Sequence, residues 1–561
     1  MATQVAGGEL PPGLRLATHR AAFDLPPLPD GSGPELIGQV YEAALDAGAR
    51  RTSGVHYTPP SVARRLVSIA LADRPGVATV CDPTVGGGAF LLAAAEQLAD
   101  RVGDRRAVAE CLLWGADVDP GAVAVAEATI ALWAGGDVDL AALRDHIVAA
   151  DVLVGGVDGW PGGFDAVVGN PPFLGQLARA TARDHVAAAR ARARFGDAAH
   201  GYTDTAGLFL LAALDLAADG GTVCLIQPAS LLATRDSATL RRAVEARAAV
   251  TGLWLAGERV FAAQVRVCAP VLVRGRAARR EVRRWAGAAV AEREPIAVAT
   301  SDTWAPMAYG LTSAAPSTAG PVAGDGARLG DLCDATAGFR DEYYGLVPHV
   351  ADGGDGAPLV TAGLVDPGVC HWGRRPSRFA GRAFARPTVD VGGLPPDGRA
   401  ARWVAANGAP KIVVATQTRV IEAAVDRHGR WVASVPTIAV GADEAELWRI
   451  LAVLLAPPVS AWAMEHFAGT ALSSDAVKLS ARQVLEIPLP TDRTAWDTAA
   501  DVLEHAVTPA GEVGDEAAWR SALVEFGGVM TRAYVDGDPD QYVSWWAARL
   551  PSWQRSRRRT A

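Results

Sequence analysis

Lysine is nearly absent from this chain. Lys411 and Lys478 are the only two in 561 residues, and almost all positive charge is arginine. Neither lysine precedes Ser or Thr, which excludes a G-x-x-x-x-G-K-[ST] phosphate loop. Neither has an acid two positions earlier, so the acidic-x-Lys ending of a metal-dependent nuclease site is missing as well. ATPase and in-chain nuclease chemistry therefore lose their simplest support. Cysteine is also scarce. Cys81, Cys111, Cys224, Cys268, Cys333 and Cys370 lie far apart with no C-x-x-C pair, which indicates neither a zinc site nor a disulfide framework. No window reaches the uninterrupted apolar length of a membrane span, and the opening MATQVAGGELPPGLRLATHR lacks the basic-then-apolar order of a secretory signal. The expectation is a cytosolic protein with no metal and no membrane partner.

The length suggests about two to four domains with ample core. A net charge of −9 argues against a nucleic-acid partner for the chain as a whole, but the arginines are clustered. Residues 1–35 are rich in Pro and Gly and are expected to be poorly ordered. Helical spacing begins at Glu35–Leu45, and Thr58–Val67 opens a second helix with prolines in its first turn.

From Val77 the pattern becomes strand, turn, helix, repeated, as in a parallel sheet with crossover helices. The strand Val77–Cys81 leads into Asp82-Pro83-Thr84-Val85-Gly86-Gly87-Gly88, a turn whose glycines let a ligand approach the backbone. Asp82 would repel a pyrophosphate, so a ligand with an amino or sulfonium group fits better than a dinucleotide. A strand at Leu112–Ala116 ends in Asp117, where a ribose diol is commonly gripped. Asp119, before Pro120, reads as a helix N-cap. The strand His146–Ala150 ends in Asp151, placed to accept from an adenine amino group or to stand as a solvated loop acid. Phe164–Gly169 is a buried strand followed by Asn170-Pro171-Pro172-Phe173. There an amide oxygen, a proline carbonyl and an aromatic face suit a planar ring bearing an exocyclic amino group, although a capped turn with a core Phe has the same spelling. A parallel sheet would bring Asp82, Asp117, Asp151 and Asn170 to one carboxyl edge.

Further strands are expected at Gly221–Pro228, Val250–Leu255 and Val265–Val273, with helices at Thr205–Leu216 and Ser237–Ala248. The domain divisions read as 36–290 for the sheet domain, 291–327 for a linker, 328–492 for a second domain and 493–561 for an acidic, Trp-rich helical segment. The second domain carries Arg374, Arg375, Arg378 and Arg402 among His371, Trp372 and Trp403, a composition suited to nucleic acid.

Taken together, these motifs resemble the gamma-class adenine-N6 DNA methyltransferases over about residues 35–490. His56-Tyr57-Thr58-Pro59-Pro60 is similar to the family's N-terminal motif, which contacts the methionine part of S-adenosylmethionine. It is followed by the D-P-x-x-G-x-G loop, the ribose acid Asp117, the adenine acid Asp151 and the catalytic N-P-P-F. The stretch Val477–Pro490 is similar to the close of a target-recognition domain shared with type I specificity subunits. Asp82 and Asp117 stand where relatives often have Glu.

The resemblance implies an α/β, Rossmann-like S-adenosylmethionine-dependent methyltransferase sheet with a C-terminal α+β target-recognition domain. It implies Thr58, Asp82, Gly86, Gly88, Asp117 and Asp151 as cofactor contacts, and Asn170, Pro171 and Phe173 as catalytic. Phe173 and Phe261 would stack a flipped adenine, and the partner would be double-stranded DNA, with a separate restriction or defence subunit compatible. Methylation of an RNA base or a protein glutamine, and a non-catalytic DNA-specificity subunit, are the alternatives.

Overall fold

A computed structural model describes residues 14–15, 33–44, 58–155, 157–173, 185–199, 204–257, 266–275, 281–297, 303–311, 316, 326–338, 340–467, 476–535 and 538–553. The chain divides into two compact units, Met1–Thr312 and Ser313–Ala561.

The first unit is built on one ten-stranded sheet. Its strands are β1 (Val80–Asp82), β2 (Leu113–Asp117), β3 (Ile147–Ala149), β4 (Phe164–Gly169), β5 (Ala217–Leu225), β6 (Gln227–Pro228), β7 (Ala248–Leu255), β8 (Val267–Arg274), β9 (Glu281–Ala286) and β10 (Ala291–Ala297). The order is β3-β2-β1-β4-β5-β8-β7-β9-β10, with the short β6 beside β8. Strands β1 to β5 run parallel, and β8 lies antiparallel between β5 and β7. Successive strands step one way from β1 to β3 and the other way from β4 onward. The strand order thus reverses between β1 and β4, and sheets of this kind bind ligands at that point.

Local chemistry explains the elements. Strand β1 is wholly buried, as is β4 apart from Asp165, and both are written in apolar residues. Asp165 is held at the edge by Arg74 Nη1 at 2.8 Å and the Thr79 amide at 3.0 Å. Pro120 occupies the first turn of helix Pro120–Trp133, and the Asp119 side chain accepts from the Gly121 amide at 2.8 Å, the N-cap that the sequence predicts. Helix Thr205–Leu216 keeps its expected bounds, since Asp204 caps it by accepting from Ala206 N.

Three features differ from expectation. The first strand starts at Val80, with Val77 left exposed, so Asp82 is the last strand residue. The arginine-dense stretch after Arg274 continues the sheet: β9 and β10 form an antiparallel ribbon, and β10 falls among residues read as linker. Arg284 is only 9 % exposed there and donates to the carbonyls of Glu294 and Tyr309. Near the N-terminus, Leu14 joins the core of the first unit, and Arg15 pairs with the fully buried Glu127 at 3.1 Å.

The second unit has an antiparallel sheet ordered Asp334–Ala337, Thr437–Gly441, Lys411–Ala415, Glu422–Asp426. A smaller sheet is ordered Val350–Asp352, Pro387–Val389, Ala357–Val360, Val432–Ala433. The helices Arg493–Val502, Thr508–Val513 and Glu516–Arg532 pack within this unit. Trp519 Nε1 donates to the Pro367 carbonyl at 3.0 Å, and Thr508 Oγ1 donates to Gly368 at 2.9 Å, seating these helices on the hairpin Val365–Cys370. No single helix among the described residues is long and apolar enough to cross a membrane.

The turn after β1 rests on helix Glu35–Ala44 through two glycines. A Cβ on Gly87 would stand 2.6 Å from Gly38 Cα, closer than any real contact. Gly87→Ala should therefore destabilise the protein by about 1–3 kcal/mol through overpacking against backbone. Urea unfolding followed by tryptophan fluorescence measures it, and an unchanged midpoint would contradict the close approach.

Candidate active site

The strand tips at the reversal point open into one cleft of about 1050 Å³, continuous with solvent. Thr58, Asp82, Gly86, Asp117, Asp151 and Asn170 all line it, so six residues singled out in the sequence come together there. Asp82 ends β1 and is 1 % exposed, with Oδ1 accepting from the Thr84 amide at 2.9 Å. Burial pushes its carboxyl up to about 8, and the neighbouring Asp117 adds to the rise against the Thr84 bond. Burial likewise raises Asp117, although the amides of Asp119 and Gly86 donate to it, each at 3.0 Å. Asp151 is exposed at the tip of β3 and caps the short helix Val152–Gly155 through the Leu153 amide at 2.9 Å.

Three glycines in the turn have three different roles. Gly86 presents its amide to Asp117 and lines the cleft. Gly87 makes the backbone contact described above. Gly88 precedes helix Ala89–Val102 with φ 87°, a left-handed backbone that favours glycine, and a Cβ there would make only ordinary contact with Ala126 at 3.4 Å. Gly88, expected as a cofactor contact, is not among the cleft-lining residues, and its left-handed backbone sets the entry to the helix.

At the tip of β4, a Cβ on Gly169 would fall 2.4 Å from Asp82 Oδ1, so the strand can lie beside the acid only with glycine there. Asn170 Nδ2 donates to Thr58 Oγ1 at 3.1 Å, which turns the acceptor end of the amide away from Thr58. Pro171 is buried, and among the described residues no donor reaches its carbonyl. Phe173 is partly buried against the core of the first unit. Phe261 lies outside the described residues, as do His56 and Tyr57.

Sequence reasoning missed Tyr41, Phe90, Val118, Val152 and Phe209, which supply much of the cleft's apolar wall. Tyr41 donates its hydroxyl to Asp119 and so closes one side. The amphipathic spacing of Glu35–Leu45 marked a helix but not which face meets the cleft.

Residues 32–285 match the N-6 DNA Methylase family. This family transfers the methyl group of S-adenosylmethionine to the N6 amino group of adenine in DNA. No curated protein matches the sequence. Among solved structures, the type IIL restriction-modification enzyme MmeI, determined in complex with DNA, is 13% identical over 94% of this chain and 82% of its own, with a TM-score of 0.57. That likeness shows a shared fold across both units. The type IIG restriction endonuclease BpuSI is 12% identical over 91% of this chain and 68% of its own, with a TM-score of 0.42. A modification subunit of a putative type I restriction enzyme from Vibrio vulnificus is 21% identical over 45% of this chain, with a TM-score of 0.35; the match spans 49% of that subunit.

The segment that matches the N-6 DNA Methylase family fits S-adenosylmethionine by its donor set. Three carboxylates on adjacent strand tips suit a ligand carrying an ammonium and a sulfonium, and the space beside Asp82 is kept open by Gly169. In the second unit the picture is divided. Arg374 donates to the carbonyls of Gly511, Glu512 and Cys370. Arg375 donates to both oxygens of the buried Asp366, at 3.1 and 2.7 Å. Burial alone would raise Asp366, but bonds from His371 and Arg375 outweigh it and hold the carboxyl below its usual value. Both guanidinium groups expected to meet DNA are therefore bonded within the unit. Arg402 is exposed and donates to the Asp397 carbonyl at 2.6 Å. Arg378 is exposed, and its side chain makes no hydrogen bond to other described residues.

A carboxyl raised to about 8 is largely protonated at pH 7 and must ionise to pair with a cationic ligand. Binding of S-adenosylmethionine should therefore release a proton near neutral pH and strengthen as pH rises toward 8. Calorimetry in two buffers of different ionisation enthalpy reads this release, which Asp82→Asn should remove. Equal heats in both buffers for the wild type would contradict it.

Proposed function

We propose that this protein is a gamma-class, sequence-selective DNA methyltransferase that acts on the N6 amino group of a flipped adenine, with the second unit as its target-recognition domain. The observation that carries the proposal is the placement of Asn170 at the tip of β4, in one cleft with three strand-tip acids and at the point where strand order reverses, with the buried Pro171 next to it in the chain. An adenine N6 lone pair is delocalised into the ring and is a poor nucleophile. Asn170 Oδ1 and the Pro171 carbonyl accept the two N6 hydrogens, which favours a more tetrahedral nitrogen and aims its lone pair into the cleft. S-adenosylmethionine supplies the methyl group when bound. Asp82, Asp117 and Asp151 hold it by its ammonium, ribose and adenine groups, and Thr58 lies at the methionine end. Because the target base leaves the duplex, Phe173 and Phe261 replace its lost stacking.

For the second unit, support comes from one basic lobe. The hairpin of Ser377–Phe379 and Arg382–Phe384 turns at Ala380 and Gly381, with φ 48° and 78°. It is pinned by Tyr343, whose hydroxyl accepts from the Ala380 amide at 2.8 Å and whose ring lies 4.7 Å from Phe379. Arg378 and Arg382 are exposed on this stiff hairpin, and Tyr344 is 55 % exposed on the neighbouring helix Arg340–Leu346. A basic, rigid hairpin beside an exposed aromatic suits a DNA groove. The absence of a nuclease signature makes a separate restriction or defence subunit the natural partner.

Three experiments test this reading. Labelled S-adenosylmethionine offered with duplex DNA, tRNA or protein should label DNA alone. Asn170→Ala should bind the cofactor with nearly unchanged affinity and transfer no methyl, whereas near-normal turnover would sink the mechanism. Arg378→Ala and Arg382→Ala should each weaken DNA binding and lower the salt slope by about 1. Arg374→Ala should instead lower the melting temperature. If only Arg374→Ala changes the salt slope, the interface lies elsewhere.

A further inference from the structure

Thr58 stands immediately before Pro59 and Pro60, at the start of helix Pro60–Ala70. Two successive rings fix φ, so its hydroxyl is delivered from stiff backbone. The residue is 4 % exposed, lines the cleft, and accepts from Asn170 Nδ2 at 3.1 Å. Among the described residues, no group accepts the Thr58 hydroxyl hydrogen.

A primary amide is a donor at one end and an acceptor at the other, and its two orientations differ only in what they bond. Only one of them can accept an N6 hydrogen; the flipped amide would present a donor to a donor. A hydroxyl cannot choose between these orientations by itself, because it can accept from Nδ2 or donate to Oδ1. Once its hydrogen is committed elsewhere, it can only accept, and the amide orientation is then fixed.

We propose that Thr58 is a positioning residue that links cofactor binding to the orientation of the Asn170 amide. Resting on the methyltransferase reading above, Thr58 donates its hydrogen to the carboxylate of bound cofactor, the strongest acceptor that the ligand offers. It is thereby held as an acceptor toward Asn170 Nδ2. Oδ1 already points away from Thr58 here, and filling the cofactor site locks it in that orientation, facing the target amino group. The link is a coupling between two binding sites, so each ligand should tighten the other.

The test is binding, which needs no turnover. Wild-type enzyme, with the target site defined by its own methylation, is titrated with target duplex with and without S-adenosylhomocysteine, which keeps the carboxylate but has no methyl to give. The expected result is about tenfold tighter DNA binding when the cofactor site is filled. A duplex with purine in place of the target adenine, lacking the amino group, should not show the effect. Thr58→Val should lose most of the enhancement and much of kcat with a smaller change in DNA KM, and Thr58→Ser should restore both. Retained enhancement in Thr58→Val, failure of Thr58→Ser to rescue, or equal enhancement on the purine duplex overturns the link while leaving methyl transfer intact. No transfer to DNA by the wild type overturns the underlying reading and the link with it.

Discussion

One carboxylate sets the geometry of the first unit's cleft. Asp82 is buried at the end of β1, and β4 can run beside it only because residue 169 has no side chain. If that separation closed, the acid would lose the room in which a cationic group can meet it. If it widened, Asn170 would move out of reach of Thr58. The register between β1 and β4, with Val80 opposite Ala166 and Cys81 opposite Val167, keeps the two tips level. A buried acid raised to about 8 is costly to ionise, and this strain makes the cleft selective for a ligand that brings positive charge.

The rest of the cleft holds that arrangement in place. Asp117 ties the glycine turn to β2 through the Gly86 amide, while Asp119 caps the next helix and receives the Tyr41 hydroxyl. The helix Glu35–Ala44 is thus joined to the turn at Gly38 and to the next helix start at Asp119. These contacts couple a segment far back in sequence to the sheet edge.

Much of this was legible in the sequence, for physical reasons that also explain what was not. Strand-tip acids are visible because apolar runs end abruptly at Asp82, Asp117 and Asp151, and topology then gathers them. Glycine was legible as a need but not as a cause: Gly87 and Gly88 answer to neighbouring backbone and helix, which no local pattern reveals. Charge was the least legible. Arg374 and Arg375 look like any other arginines in a basic stretch, and only folding shows Asp366 and the Gly511 carbonyl waiting for them. The ribbon β9–β10 was hidden for the same reason, since Arg284 lays its stem in the core and takes its partners from distant carbonyls.

The seating of the C-terminal helices on the hairpin Val365–Cys370 bears on how the second unit could be exchanged between generations. Trp519 and Thr508 bond the backbone of Pro367 and Gly368, and Arg374 returns the contact to Gly511 and Glu512. A recombination junction anywhere between Arg375 and Val507 would pair one half of this seam with a foreign other half. A buried indole and a buried hydroxyl would then lack their acceptors, at a cost of about 1–3 kcal/mol each. Exchange of the whole second unit, helices included, is therefore less costly than replacement of its arginine-rich stretch alone.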